Sequence, residues 1–203
     1  MGKTFVFIRH AESAKNLKDV TGGKGDVLTE AGARSAEALA KTLLARFPHG
    51  RKKVYASDTV QTVETAETLA RAFGVPFTVE SELRAAHFGA FTGLTTQEIL
   101  ERFPQEYVRL DLWRRREIDV TQLKIPDMED PVSAWERVMA FLSAQEEDAV
   151  HFVVCTRSIM VLIINFVQGN RPIAGGNYKH VEVKNCETVA FRLDGAEVKR
   201  LDE

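Results

Sequence analysis

Residues 4–16 read Thr4-Phe5-Val6-Phe7-Ile8-Arg9-His10-Ala11-Glu12-Ser13-Ala14-Lys15-Asn16, an apolar run that stops abruptly at Arg9 and His10. Phe5 to Ile8 are aromatic or β-branched and do not alternate with polar residues, the pattern of a short strand buried on both faces of a largely parallel sheet. Ligands of open α/β sheets bind at the carboxyl ends of strands, so an Arg-His pair placed there is positioned to hold an anion and attack it. Imidazole suits attack on phosphorus, because it is nucleophilic when neutral near pH 7 and the phosphohistidine it forms can be hydrolysed. The same dipeptide also reads as the start of a solvated loop, and the rest of the chain has to decide.

Outward from this strand, Thr29 is placed to cap a helix carrying Ala33, Ala36, Leu39, Ala40 and Leu43 at helical spacing, which Pro48 ends. Lys53 to Ala56 reads as a strand, and Ser57-Asp58 as the cap of a second helix with Val60, Val63, Ala66, Leu69 and Phe73 turned inward. Gly74 closes that helix and Phe77 to Val79 forms the next strand, so the order is β-α-β-α-β. The glycine-rich run Thr21 to Asp26 lacks the Gly-Lys-Ser/Thr ending of a P-loop and reads as a surface loop.

Thr95 with Glu98 forms a capping box, and Gln105 to Asp119 reads as a further helix on which Arg114-Arg115-Arg116 is a solvated face. Another helix follows Pro131. Val150 to Cys155 repeats the buried-strand pattern and ends at Thr156-Arg157-Ser158, running into an apolar helix from Ile159; its end is predicted to lie near Arg9 and His10. Val181 to Val183 and Val189 to Leu193 read as final strands, with a turn at Asp194-Gly195. The expectation is one domain over residues 1–203, a three-layer α/β/α fold with a largely parallel central sheet and a mostly helical variable insert at about 95–130.

With 27 basic and 29 acidic residues the net charge is −2, so no overall field recruits nucleic acid or an anionic membrane, and any anion site must be local. Cys155 and Cys186 are too few for a disulfide framework and point to reduced thiols and a cytoplasmic location. The apolar run before Arg9 is too brief for a signal peptide, and no later run reaches the length of a bilayer span.

Several motifs, in order along the chain, resemble the histidine phosphatase superfamily, also called phosphoglycerate mutase-like. Arg9-His10-Ala11-Glu12-Ser13 with Asn16 is similar to the opening R-H-G-E-S/T signature and its Asn, and Asp26 to Gly32 resembles the D-x-P-L-T-E-x-G helix start. His87 to Leu94 looks like the F-G-x-W-E-G-L loop, Trp135 to Val138 resembles the R-V of a late helix, and Asn185-Cys186 falls where the family often has Asn-Ala or Asn-Cys. The resemblance implies a phosphoglycerate mutase-like fold and a chemistry without cofactor or metal. In that chemistry the first His accepts the phosphoryl group, two Arg and a second His surround its oxygens, and a Glu or Asp protonates the leaving alcohol.

Carried over position by position, His10 matches the nucleophile and Arg9 the first Arg, but Gln61 stands where the second Arg belongs, Ala85 at the acid and Thr156 at the second His. Gln61 removes a cation and its bidentate fork, Thr156 offers one hydroxyl in place of an imidazole, and Ala85 offers nothing. A positioned general acid is worth about 100- to 10,000-fold in rate, so its loss with two charge stabilisers implies a larger deficit.

Compensation is open at Arg157 and Ser158, which replace two glycines and join Arg9 and Asn16 as phosphate-binding candidates. It is also open at His87 or Glu82 as a displaced acid. The reading is therefore a degenerate histidine phosphatase, a pseudoenzyme that binds phosphate, a small anionic ligand or a protein partner. Its rival is an active phosphomonoesterase or mutase-type phosphotransferase with a rearranged acid and cation set.

Overall fold

A computed structural model describes residues 2–201. In chain order the strands are β1 (Lys3–Arg9), β2 (Arg51–Ala56), β3 (Phe77–Val79), β4 (Ala149–Cys155), β5 (Thr188–Asp194) and β6 (Glu197–Arg200), lying side by side as β3-β2-β4-β1-β5-β6. The pairs β1–β4, β2–β4 and β2–β3 are parallel, while β5 runs antiparallel to both β1 and β6. The helices are α1 (Ala14–Leu17), α2 (Glu30–Arg46), α3 (Val60–Phe73), α4 (Thr96–Arg102), α5 (Pro104–Arg114), α6 (Pro131–Ala144) and α7 (Arg157–Val167).

The period-2 geometry of β1 explains the layers. Phe5 and Phe7 point to one face, where they pack with Val138, Leu142, Ile159 and Ile163 of α6 and α7. Val6 and Ile8 point to the other, against Ala40 and Leu43 of α2 and Ala66 and Leu69 of α3. All four β1 side chains are fully buried, so a continuous apolar run was required. A third apolar cluster, around Phe91, Ile99, Leu110 and Ile125, lies within the helical segment between β3 and α6.

Several sequence expectations need correction. Thr59, not Ser57-Asp58, precedes α3, and its hydroxyl contacts Thr62 Oγ1 at 2.9 Å, as Ser57 Oγ does at 3.1 Å, so these hydroxyls bond to one another rather than capping amides. Val60 is exposed, and the buried face of α3 begins instead with Gln61, Thr62 and Thr65. Ala33 is exposed on α2. Helix α5 stops at Arg114 rather than Asp119, because Arg116 takes a left-handed φ of 65° and the Glu117 amide bonds back to Leu112 O at 2.9 Å. Val181 to Val183 is not a strand, and α7 begins at Arg157, two residues before Ile159.

Candidate active site

Parallel pairing sets the ends of β1 and β4 side by side: Arg9 is in register with Cys155, and the His10 amide donates to Cys155 O at 3.1 Å. The loops leaving these two strands open onto one cleft of about 690 Å³ that Arg9, His10, Thr156 and Arg157 line together. The predicted meeting of the two strand ends is thus what the topology builds.

His10 is buried, and its Nδ1 lies 2.7 Å from the carbonyl oxygen of Ala11. A carbonyl only accepts, so Nδ1 carries the proton and the lone pair sits on Nε2. Burial, opposed by the Ala11 hydrogen bond and reinforced by the charges of Arg9 and Lys15, lowers the imidazole pKa to about 4. At neutral pH the His10 imidazole is therefore uncharged, with a fixed tautomer and a free lone pair on Nε2.

Arg9 donates through Nη1 to the Val183 carbonyl, while its Nε is buried without a hydrogen-bond partner among the described residues. The segment read as a strand at Val181 to Val183 thus serves as a backbone brace for this guanidinium. Burial and the nearby Arg157 lower the Arg9 pKa, which places the two cations within electrostatic reach of each other. Arg157 is exposed on the cleft wall, with no ion pair among the described residues. Asn16 lines the cleft, with its Oδ1 accepting from Ser13 N at 2.9 Å.

Gln61, Ala85 and Thr156, the positions read from the sequence as substitutions, line the same cleft. Gln61 is buried, and its Oε1 accepts from Asp26 N at 3.2 Å; Gly25, at φ 92°, packs so closely on the carboxamide that a Cβ there would overlap it. Thr156 Oγ1 lies 3.0 Å from Ser158 Oγ, which accepts from Ala86 N at 3.1 Å, so Ser158 is engaged in tying the 85–87 segment to the start of α7. Ala85 and His87 line the cleft; His87 Nδ1 accepts from Gly89 N at 3.1 Å. Glu82 does not line it: its carboxylate takes Ser81 Oγ at 3.0 Å and its carbonyl is held by Arg137.

Among the charged residues lining this cleft that the sequence reading did not single out, Lys15 and Glu129 bear most on the site. Lys15 is half-buried, reaches Gly22 O through Nζ, and contributes a positive charge felt at His10. Glu129 is joined to the 85–87 segment by its amide, which donates to His87 O at 2.9 Å. Its carboxylate accepts from Arg137 Nε and Nη2 at 2.9 and 3.0 Å, from Arg84 Nη2 at 2.8 Å and from His87 N at 3.2 Å. Burial pushes this carboxyl up, but the Arg137 hydrogen bonds and charge, the His87 amide and Arg84 outweigh it and hold the pKa below the usual range. The only sequence signal for Lys15 was its place before Asn16, and none marked Glu129.

Residues 5–202 match the family described as histidine phosphatase superfamily (branch 1). The chain belongs to the histidine phosphatase superfamily. It is similar to the 6-phosphofructo-2-kinase/fructose-2,6-bisphosphatase of Gallus gallus, 32% identical over 158 residues, covering 78% of this chain and 31% of that protein. It is also similar to the 2,3-bisphosphoglycerate-dependent phosphoglycerate mutase of Erythrobacter litoralis (strain HTCC2594), 34% identical over 129 residues, 62% of this chain and 54% of the mutase. The matched stretch therefore spans about a third of the first relative and about half of the second.

The fold of this histidine phosphatase family member is shared with a putative alpha-ribazole-5'-P phosphatase from Escherichia coli, at a TM-score of 0.79 and 19% identity over 99% of this chain and 95% of the other. A structure described as mycobacterial hydrolase 1 superposes at a TM-score of 0.78 and 21% identity, over 99% and 96% of the two chains. The phosphoglycerate mutase-like α/β architecture expected from the motifs is the observed one. Chemically, the cleft presents an uncharged imidazole beside a braced guanidinium, with further cations at Lys15, Arg114 and Arg157 and an ionised, fully paired carboxylate at Glu129.

Proposed function

We propose that this chain binds a phosphorylated small molecule or another small anion at Arg9 and His10, and that its phosphomonoesterase turnover is lost or strongly reduced. The observation that carries this reading is at Ala85: the position from which the resemblance expects a proton donor has no functional group, and the carboxylate tied to that segment, Glu129, is already committed to two guanidinium groups. An ionised carboxylate accepts hydrogen bonds and has no proton to give. His10, Arg9 and Asn16 supply the anion site, with Arg157 as an exposed cation on its wall; Ser158 is discounted as a phosphate donor because its hydroxyl is engaged with Thr156 and Ala86.

A second reading, an active phosphomonoesterase or mutase-type enzyme that passes through a phosphohistidine at His10, is favoured by one observation. The charges of Lys15 and Arg157 act on His10 and Arg9, the place from which Gln61 removed a cation. His87 would then be the displaced acid. A calorimetric titration with inorganic phosphate and a phosphatase screen, each with His10→Ala and Arg9→Met controls, separate the two. Phosphate binding that depends on Arg9, with little or no turnover of sugar or glycerate phosphates, supports the first; brisk His10-dependent turnover supports the second.

The ligand class is proposed on the same ground as the site, with a protein partner as the remaining candidate occupant. A cytoplasmic setting is proposed on the two free thiols, Cys155 and Cys186. No helix among the described residues is long and apolar enough to cross a membrane.

A further inference from the structure

The cleft is far larger than a phosphate needs, and at about 690 Å³ it lies in the range of sites that enclose a drug-sized organic ligand. Beyond the cations, much of its lining is apolar or aromatic: Tyr107, Leu110 and Trp113 from α5, with Leu123 and Met128 from the segment that follows. The indole Nε1 of Trp113 is buried and has no hydrogen-bond partner among the described residues, and His180 stands edge-on to the ring at 5.2 Å between centroids. A wall of this kind offers a flat aromatic group stacking and apolar contact.

The missing acid points the same way. An alkyl alcohol departs as an alkoxide whose conjugate acid has a pKa of roughly 16, close to that of water, so it needs a proton in the transition state. A phenol has a pKa of about 10 and more acidic phenols lie lower, so a phenolate leaves without one. Ala85 disables the first departure and leaves the second untouched.

We infer that the phosphate esters this site can turn over are aryl phosphates, the ring lying against the Trp113 wall and the phosphoryl group at Arg9 and His10. The inference rests on the reading above, in which His10 keeps its nucleophilic place and the acid is gone. The His10 Nε2 lone pair attacks phosphorus as the P–O(aryl) bond breaks, and that bond's electron pair leaves on the phenolate, which takes a proton from solvent. Nδ1 keeps its proton against Ala11 O throughout. Water then attacks phosphorus, the N–P bond breaks with its electron pair returning to Nε2, and inorganic phosphate departs while the surplus proton passes to solvent.

The test is a kinetic series on the purified full chain: 4-nitrophenyl phosphate, phenyl phosphate and phosphotyrosine against glycerol phosphate. The expected result is kcat/KM that rises steeply with the acidity of the leaving phenol, exceeds the alkyl ester by at least about 100-fold, and vanishes in His10→Ala. Ala85→Glu should narrow that gap by raising the glycerol phosphate arm. Trp113→Leu, or Leu123→Gln if the former fails to fold by circular dichroism, should raise KM for aryl esters about 10-fold, several times more than it raises KM for glycerol phosphate; an equal rise for both would overturn the placement of the ring.

Equal rates on aryl and alkyl esters, or aryl turnover that survives His10→Ala, would overturn the inference. Absence of any aryl turnover, with Arg9-dependent binding of inorganic phosphate intact, would overturn it and leave the anion-binding reading standing. Loss of that phosphate binding would remove the reading on which it rests.

Discussion

Arg137 grips the carboxylate of Glu129 with two parallel N–H···O bonds, Nε to Oε1 at 2.9 Å and Nη2 to Oε2 at 3.0 Å, and both side chains are 10% exposed. This fork, together with Arg84, accounts for why a carboxylate lining the His10 cleft has no proton to donate there. The bonds that hold it in place are made by its charged form. The same pair fixes the 85–87 segment, since Glu129 bonds to both the amide and the carbonyl of His87.

Removing Arg137 should therefore hurt stability first. Arg137→Met leaves Glu129 with Arg84 alone in a mostly buried setting, and breaking a buried pair from one side is worth about 3–5 kcal/mol. Urea denaturation should show a loss at or below the lower end of that range, because Arg84 persists. A loss under about 1 kcal/mol would mean that the fork carries little of the cleft wall.

Arg9→Met should weaken the binding of inorganic phosphate by roughly 10- to 150-fold, the worth of about 1.5–3 kcal/mol for a hydrogen bond to a charged group. Arg9→Lys should recover only part of this, because an ammonium is a compact point charge without the planar fork whose separate nitrogens let Arg9 hold Val183 O and face an anion together. Isothermal titration calorimetry at fixed ionic strength reads both.

His10 and His151 both have folded-state pKa values lowered to about 4, chiefly by burial, against an ordinary 6.5. Between those values the unfolded chain binds more protons than the folded one, so acid favours unfolding there. Their contribution to stability is complete above about pH 6.5 and is lost as pH falls towards 4. Calorimetric scans should show Tm falling through that window, with a shallower fall in His151→Gln. Phosphoryl acceptance by His10 should stay flat from neutral pH down to about 5 and decline only near 4.

Gly32→Ala should disturb the loop that carries His10. A Cβ at Gly32 would collide with the Glu12 carbonyl, which accepts from Thr29 N at 3.0 Å, while Thr29 Oγ1 donates to Glu12 Oε1 at 2.8 Å. Overpacking of this kind destabilises by about 1–3 kcal/mol, a Tm loss of roughly 2–12 °C for a chain of this size. Phosphate affinity should fall with it; an unchanged Tm would show that the start of α2 is free to shift.

What could be read from the chain was local chemistry. Phe5 to Ile8 announced a doubly buried strand, Thr29 capped α2 through Gly32 N at 2.9 Å, and Thr95 with Glu98 closed a capping box. Gly74 ended α3 in the left-handed conformation that favours it. What failed depended on partners far along the chain. Val181 to Val183 has strand propensity, but the Val183 carbonyl is taken by Arg9, 174 residues away, rather than by a neighbouring strand. Helix α5 stops early because a non-glycine residue, Arg116, takes the left-handed position, which leaves no mark in the sequence.

The site divided along the same line. Placing His10 and Arg9 beside Thr156 and Arg157 needed only the two buried runs and the rule that parallel strands deliver their ends together. Glu129 was invisible, because its importance comes from Arg84 and Arg137 on separate elements. Glu82 was closer in sequence to Ala85, but its backbone is pinned by Arg137 outside the cleft.

The most direct test of the central claim compares kcat/KM for glycerol phosphate between the unaltered chain and Ala85→Glu. A poised His10 nucleophile without a proton source predicts very slow turnover by the unaltered chain and a gain of about 100-fold or more on restoring the carboxyl, the shortfall left by Gln61 and Thr156 persisting. Rapid, His10-dependent hydrolysis by the unaltered chain, with no gain from Ala85→Glu, would contradict the account.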